Sequence, residues 1–184
     1  MVKIKTMTLV QAPVERCFKL SLSVDLRLRL GASTGEVVVE GPRSGLLGAG
    51  DAVRVQAQHL GVKTQYQSVV DGWRPYSYFR EVMTDGVLVR FEHERHFAPM
   101  NDGTRIREEV RFKTPLGWLG RMAERLVLRR YVTQLLRQRN AELKRVAESS
   151  EWHRYLDGER EVDRQPYEPT RFVSRASGRR YAEG

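Results

Sequence analysis

Six runs between positions 35 and 112 alternate apolar with polar residues: "GEVVVEG", "DAVRVQAQH", "VKTQYQSVVD", "PYSYFREVM", "VLVRFEHERHF" and "TRIREEVRF". Turn-forming residues separate them at 48–51, 60–61, 72–75, 85–86 and 101–103. Successive side chains of a strand point to opposite faces, so these runs predict an antiparallel meander with one buried and one wet face. "VKIKTMTLVQ" at the start predicts a further strand.

The period changes elsewhere. In "APVERCFKLS", Val14, Cys17, Phe18 and Ser21 recur at helical spacing and Pro13 suits an early helical position. This predicts a short helix in which Cys17 is a core residue rather than a nucleophile, no basic group being locally placed to activate it. In "VDLRLRLG" the alternation of Leu26, Leu28 and Leu30 with Arg27 and Arg29 reads as a strand. After "TPLG" the pattern is helical as far as Ala147. Its apolar stripe moves: Leu119, Met122, Ala123 and Leu126 share one face, whereas Leu128, Tyr131, Leu135, Leu143 and Val146 cluster nearly opposite. That shift predicts a kink or a change of neighbours along the helix. A short helical turn is expected around Trp152 to Leu156, then a tail that is poor in aliphatics and expected to be mobile.

Composition narrows the class. With 184 residues, 40% apolar and 30% charged, the chain suits one core that needs no metal or disulfide staple. The lone cysteine and the absence of an apolar leader point to the cytoplasm, and no uncharged apolar run approaches the roughly 20 residues of a membrane span. The net charge of +9 calls for anionic partners to be considered. From Ser149 onward seven arginines are matched by seven acids, so the excess belongs to residues 1–148 and much of it to the long helix.

Three apparent motifs fail on context. Gly31 to Gly35 spells GxSxG, but a strand follows where a nucleophile elbow requires a helix. Gly45, Gly48 and Gly50 lack the order and the helix of a phosphate loop. His93 and His96 point to opposite faces of a strand, so no metal site is expected.

The inner face of the last hairpin carries more interesting chemistry. Val87, Val89, Phe91, His93, Arg95 and Phe97 share one face of their run, and Ile106, Glu108, Val110 and Phe112 share one face of the next. A loop over 98–103 with Phe97 opposite Thr104 sets Arg95 against Ile106, His93 against Glu108 and Phe91 against Val110. A histidine and a carboxylate then meet on an apolar side, where they either satisfy each other or face a cavity that admits the polar end of a ligand. His59 and Tyr66 join that side by parity.

The order of these elements resembles the START-like (SRPBCC) superfamily, and within it the bacterial polyketide-cyclase/dehydrase-like ligand-binding proteins. The similar pieces are "APVERCF" at 12–18, "GLLGAGDAV" and "HLG" within 45–61, "FREVMTDG" at 79–86, "FEHERHF" at 91–97, "DGTRIREEV" at 102–110, "TPLGWLG" at 114–120 and the helix ending "RNAELKRVAE". The resemblance covers residues 1–148 and leaves 149–184 as a charged tail. It implies an α+β helix-grip fold: a curved antiparallel sheet of about six to seven strands wrapped around a long C-terminal helix. It also implies two short helices after the first strand, making "VDLRLRLG" the second of them against its own alternation.

In similar proteins the long helix roofs an apolar cavity. Its leucines would line the roof, with Arg121, Arg125, Arg129, Arg130, Arg137 and Arg145 mostly facing water. The expected function is therefore binding of a hydrophobic small molecule (a lipid, quinone or polyketide-like compound) without a cofactor. Phe79, Phe91, Phe97, Val110, Phe112, Met122, Leu126 and Tyr131 would form walls, and His59, Tyr66, His93, Arg95 and Glu108 would orient a polar group. Two alternatives stand beside it: a cyclase or dehydratase using His93 and Glu108 for proton transfer, or an adaptor whose cations meet a ribosome, RNA or an anionic membrane. No DNA partner is expected, and the oligomeric state is left open.

Overall fold

A computed structural model describes residues 1–114 and 127–156. Strand β1 (Val2–Val10) leads into helix α1 (Val14–Leu22) and helix α2 (Val24–Leu30). The strands β2 (Val37–Glu40), β3 (Ala52–His59), β4 (Val62–Arg74), β5 (Tyr78–Asp85), β6 (Arg90–Met100) and β7 (Gly103–Lys113) follow. Helix α3 (Arg129–Glu148) and the short α4 (His153–Leu156) complete the described chain. The sheet has seven strands in the order β1-β7-β6-β5-β4-β3-β2, and every pairing is antiparallel. Irregularities in the β4–β5 pairing at Gln67/Ser68 and Val70/Gly72 bend it, as extra residues in one strand do. This is the expected α+β helix-grip arrangement of a curved sheet and a C-terminal helix. The tail beyond Leu156, like Leu119, Met122, Ala123 and Leu126, lies outside the described residues.

Three sequence readings are adjusted by the fold. The segment from Val24 to Leu30 is helical, as the resemblance implies and the alternation does not. The Ser23 hydroxyl accepts from the Leu26 amide and caps the turn, while Val24 and Leu26 are fully buried. Strand β6 begins only at Arg90, so Val87 and Val89 are exposed rather than inside. The β6–β7 hairpin is also tighter than expected: Met100 pairs with Gly103, Phe97 with Ile106, Arg95 with Glu108 and His93 with Val110. The register moved by two residues, a full period of the strand, so Phe91, His93, Arg95 and Phe97 kept their predicted face while their partners changed.

Val127 and Leu128 form a widened turn just before α3, and the first face of the shifting stripe lies outside the described residues. It buries Leu136, Asn140, Leu143, Val146 and Ala147. Leu135, assigned to the stripe by sequence, is only half-buried, and its neighbour Leu136 is the buried residue of that turn. Arg129, Arg130, Arg137 and Arg145 are exposed, whereas Arg121 and Arg125 lie outside the described residues.

Two apolar clusters hold the layers together. One lies under α1, where Phe18 meets Trp73, Tyr76, Phe79 and Phe97 edge-on at centroid distances of 5.2, 5.6, 5.7 and 5.3 Å. The other joins Val2, Ile4, Val110, Phe112 and Leu136, with Leu88, Phe91, Leu128 and Val132 packed against it. Cys17 is completely buried in the first cluster, and burial pushes its thiol up. It is a core residue, as the helical spacing predicts.

Candidate functional site

Helix α3 runs close to β1, α1 and α2, and its polar side chains reach Glu36 just before β2, His59 of β3 and Glu108 of β7. The space between helix and sheet is therefore spanned by polar groups, and three clusters occupy it.

The first centres on Glu108, whose side chain is 2% exposed. Its carboxylate accepts from Arg95 Nε at 2.8 Å and Thr6 Oγ1 at 2.9 Å, lies 3.1 Å from His93 Nε2, and also accepts from the Asn140 amide. Arg95 additionally donates to the Ser21 carbonyl at 3.2 Å, tying the cluster to α1. Burial works against this carboxylate, but Arg95, His93 and Asn140 outweigh it and hold Glu108 well below the usual carboxylate range.

The second pairs Arg27 of α2 with Glu81 of β5 at 3.2 Å. Burial opposes both charges, yet each keeps the other ionised: Arg27 lowers Glu81, and Glu81 raises Arg27. The third joins Glu36 to Arg139 of α3 and to the Tyr66 hydroxyl, which donates to Oε1 at 3.2 Å. Burial keeps the Tyr66 phenol protonated and able to donate. Near the helix start, His59 Nδ1 lies 2.9 Å from the Tyr131 hydroxyl, and burial lowers the affinity of His59 for a second proton. Among the buried side-chain atoms of these clusters, Arg27 Nε, Arg139 Nε and Glu36 Oε2 have no hydrogen-bond partner among the described residues.

The Glu36 carboxylate is seated against Gly31, where a Cβ would come within 2.6 Å of the Glu36 Cβ and Cδ. Gly31→Ala is expected to dislodge Glu36 from Tyr66 and Arg139 and to lower stability by about 1–3 kcal/mol, as overpacking does. Urea melts check this. An unchanged midpoint would mean that Glu36 is not held here.

Of the residues singled out by sequence, His93, Arg95 and Glu108 come together in one cluster, and His59 meets Tyr131 in another. Tyr66 is half-buried beside Glu36, and Phe91 is half-buried against the α3 side of the sheet. Phe79, Phe97, Val110 and Phe112 are at most 4% exposed and fill the two core clusters. Met122 and Leu126 lie outside the described residues.

Sequence reasoning missed Thr6, Arg27, Glu36, Glu81, Arg139 and Asn140. One signal was available: Asn140 stands within the stripe Leu136, Asn140, Leu143, Ala147, where a polar residue must find a buried partner. The three missed charge partners on α2, β5 and the segment before β2 carried no comparable mark, since charged residues are ordinarily solvated.

The described residues define a START-like helix-grip fold, and comparisons with known proteins agree with it. No family model matches the sequence, and no curated protein matches it significantly. Solved structures do match. A protein of Thermus thermophilus is 21% identical, covering 80% of this chain and all of that one, with a TM-score of 0.64. The Zhui aromatase/cyclase of a Streptomyces species is 15% identical, covering 81% of this chain and 97% of that one, with a TM-score of 0.59. A START superfamily protein of Mycobacterium smegmatis is 12% identical, covering 77% and 98%, with a TM-score of 0.54. At these identities the likeness is one of fold. No helix among the described residues is long and apolar enough to cross a membrane.

Proposed function

We propose that the protein binds a hydrophobic small molecule carrying oxygen acceptors, a lipid, quinone or polyketide-like compound, between the sheet and α3. The observation that carries this reading is that polar side chains join the helix to Glu36 before β2 and to His59 of β3, with Arg27 Nε and Arg139 Nε left unpartnered among the described residues. Unpaired buried donors are costly, and a ligand carbonyl or phenolate would relieve them. The half-buried Phe91, Tyr66 and Tyr131 suit its apolar body. The fold shared with a START superfamily protein and an aromatase/cyclase supports the same reading.

Catalysis by His93 and Glu108 has less support. The Glu108 carboxylate is already committed to Thr6, His93, Arg95 and Asn140, and a carboxylate so satisfied is a poor base. Organic extraction of the purified protein and mass spectrometry should release an oxygen-bearing apolar compound. Tyr131→Phe, which removes one hydroxyl and keeps the ring, should lower its recovery several-fold. Extracts matching a blank preparation would remove the reading.

A further inference from the structure

One end of the molecule gathers exposed apolar residues at three places where the chain turns or a helix begins. The β3–β4 turn carries Leu60 (55% exposed), beside Val62 (61%). The β5–β6 connection carries Val87 (57%) and Val89 (60%), and the start of the long helix carries Val127 (56%). The contacts place these segments at the same end. His59, next to Leu60, meets Tyr131 of α3. Leu88 packs in one cluster with Leu128 and Val132, so its neighbours Val87 and Val89 face away from the core. The Val89 amide donates to the Lys113 carbonyl at 2.9 Å, which brings in the end of β7.

Leu60 also adopts a left-handed backbone, with φ of 52°, followed by Gly61 at 82°. The first position of such a hairpin turn favours asparagine, aspartate or glycine. A leucine there is both strained and exposed to water, and strain at an exposed tip points to use.

Several cations gather at this end. Lys63, Lys113, Arg129, Arg130 and Arg137 are exposed and engage no acid among the described residues, whereas the arginines beneath α3 are paired. Arg129, Arg130 and Arg137, with Thr133 and Gln134, line a cleft of about 400 Å³. Asp85, the acid at the end of β5, is engaged by Arg54 at 2.7 Å. Apolar tips ringed by cations match the layering of an anionic bilayer, where side chains enter the acyl boundary and cations meet headgroup phosphates. A nucleic acid would engage the same cations but has no use for aliphatic tips without aromatic neighbours.

We propose that this end is a docking surface for anionic lipid bilayers, with Leu60, Val62, Val87, Val89 and Val127 entering the interface and Arg129, Arg130 and Lys63 meeting the phosphates. The proposal does not depend on what occupies the interior.

The test is co-sedimentation of the full chain with vesicles of phosphatidylcholine alone and of phosphatidylcholine with phosphatidylglycerol. Binding is expected only to the anionic vesicles and should fall about tenfold or more as salt is raised to screen the headgroups. The double variant Leu60→Asn/Val62→Thr should bind about tenfold more weakly. Asparagine suits the left-handed position, so this variant keeps the fold, and an unchanged thermal melt verifies it. Arg129→Gln/Arg130→Gln should weaken binding and flatten the salt dependence. The proposal is overturned by a lack of vesicle binding, or by vesicle binding that the Leu60/Val62 variant leaves intact. Binding to homopolymeric RNA that matches or exceeds vesicle binding and survives the same variant also overturns it, assigning the surface to nucleic acid.

Discussion

Glu108→Gln should lower stability by about 3–5 kcal/mol near neutral pH, the loss expected when one partner of a buried ion pair is removed. Arg95 and His93 approach Glu108 with side chains only 13% and 10% exposed, so neither finds enough water to replace the carboxylate. Glutamine can still accept from Thr6 or Asn140, but it cannot neutralise Arg95. The acid limb supplies a second readout. The folded-state affinity of Glu108 for a proton is depressed, so its contribution is present above the unfolded carboxylate range, near pH ~4.3, and is lost as pH falls through the lower folded value. The gap between the native chain and Glu108→Gln should therefore be widest at neutral pH and close below pH ~4. Glu81, depressed in the same direction, keeps part of the acid limb in both proteins. Denaturant melts across pH measure this, and a pH-independent gap would sink the ion-pair account.

The second large effect is expected at Phe18, where Phe18→Ala should cost about 3–5 kcal/mol. The ring is completely buried and meets Trp73, Tyr76, Phe79 and Phe97 edge-on, so truncation opens a cavity bounded by rings from three strands and a turn. Rigid rings close such a cavity poorly, which puts the expected loss at the upper part of the range for large-to-small changes. Phe18→Leu keeps much of the volume and should lose about 1.5 kcal/mol or less. The rings that meet Phe18 are Trp73, Tyr76, Phe79 and Phe97 rather than Tyr66 or Tyr131, so Phe18→Leu should leave recovery of an extracted ligand unchanged. A loss below about 1 kcal/mol in Phe18→Ala, by equilibrium urea unfolding, would show that the rings repack freely.

The two effects separate what holds the protein together from what shapes its interior. Beneath α1 the layers meet through rings and aliphatics. Beneath α3 buried Leu136, Leu143 and Val146 share the interface with polar links, Arg139 to Glu36 and Asn140 to Glu108, while Arg27–Glu81 joins α2 to β5. Polar clusters of this kind stabilise less than an apolar filling of the same volume, so their presence fits a use other than stability.

Several elements were legible in the chain. Strict alternation in "TRIREEVRF" assigned Ile106, Glu108, Val110 and Phe112 to one face, and all four are buried. Helical spacing assigned Cys17 and Phe18 to the core, where both are fully enclosed. Alternation misread "VDLRLRLG", because a seven-residue amphipathic segment satisfies either period and the Ser23 cap with the burial of Leu26 decides between them. The hairpin register also escaped, since a two-residue slip preserves every face and leaves no trace in the pattern.

What the amino-acid order determined by itself was the local period of each segment and the side on which each residue falls, because both follow from backbone geometry over a few residues. Only the tertiary structure decided which buried charges meet: Glu36 finds Arg139 across 103 positions, and Thr6 finds Glu108 across 102. Partners so distant are chosen by the curvature of the sheet and the path of α3 over it, and no local pattern encodes either.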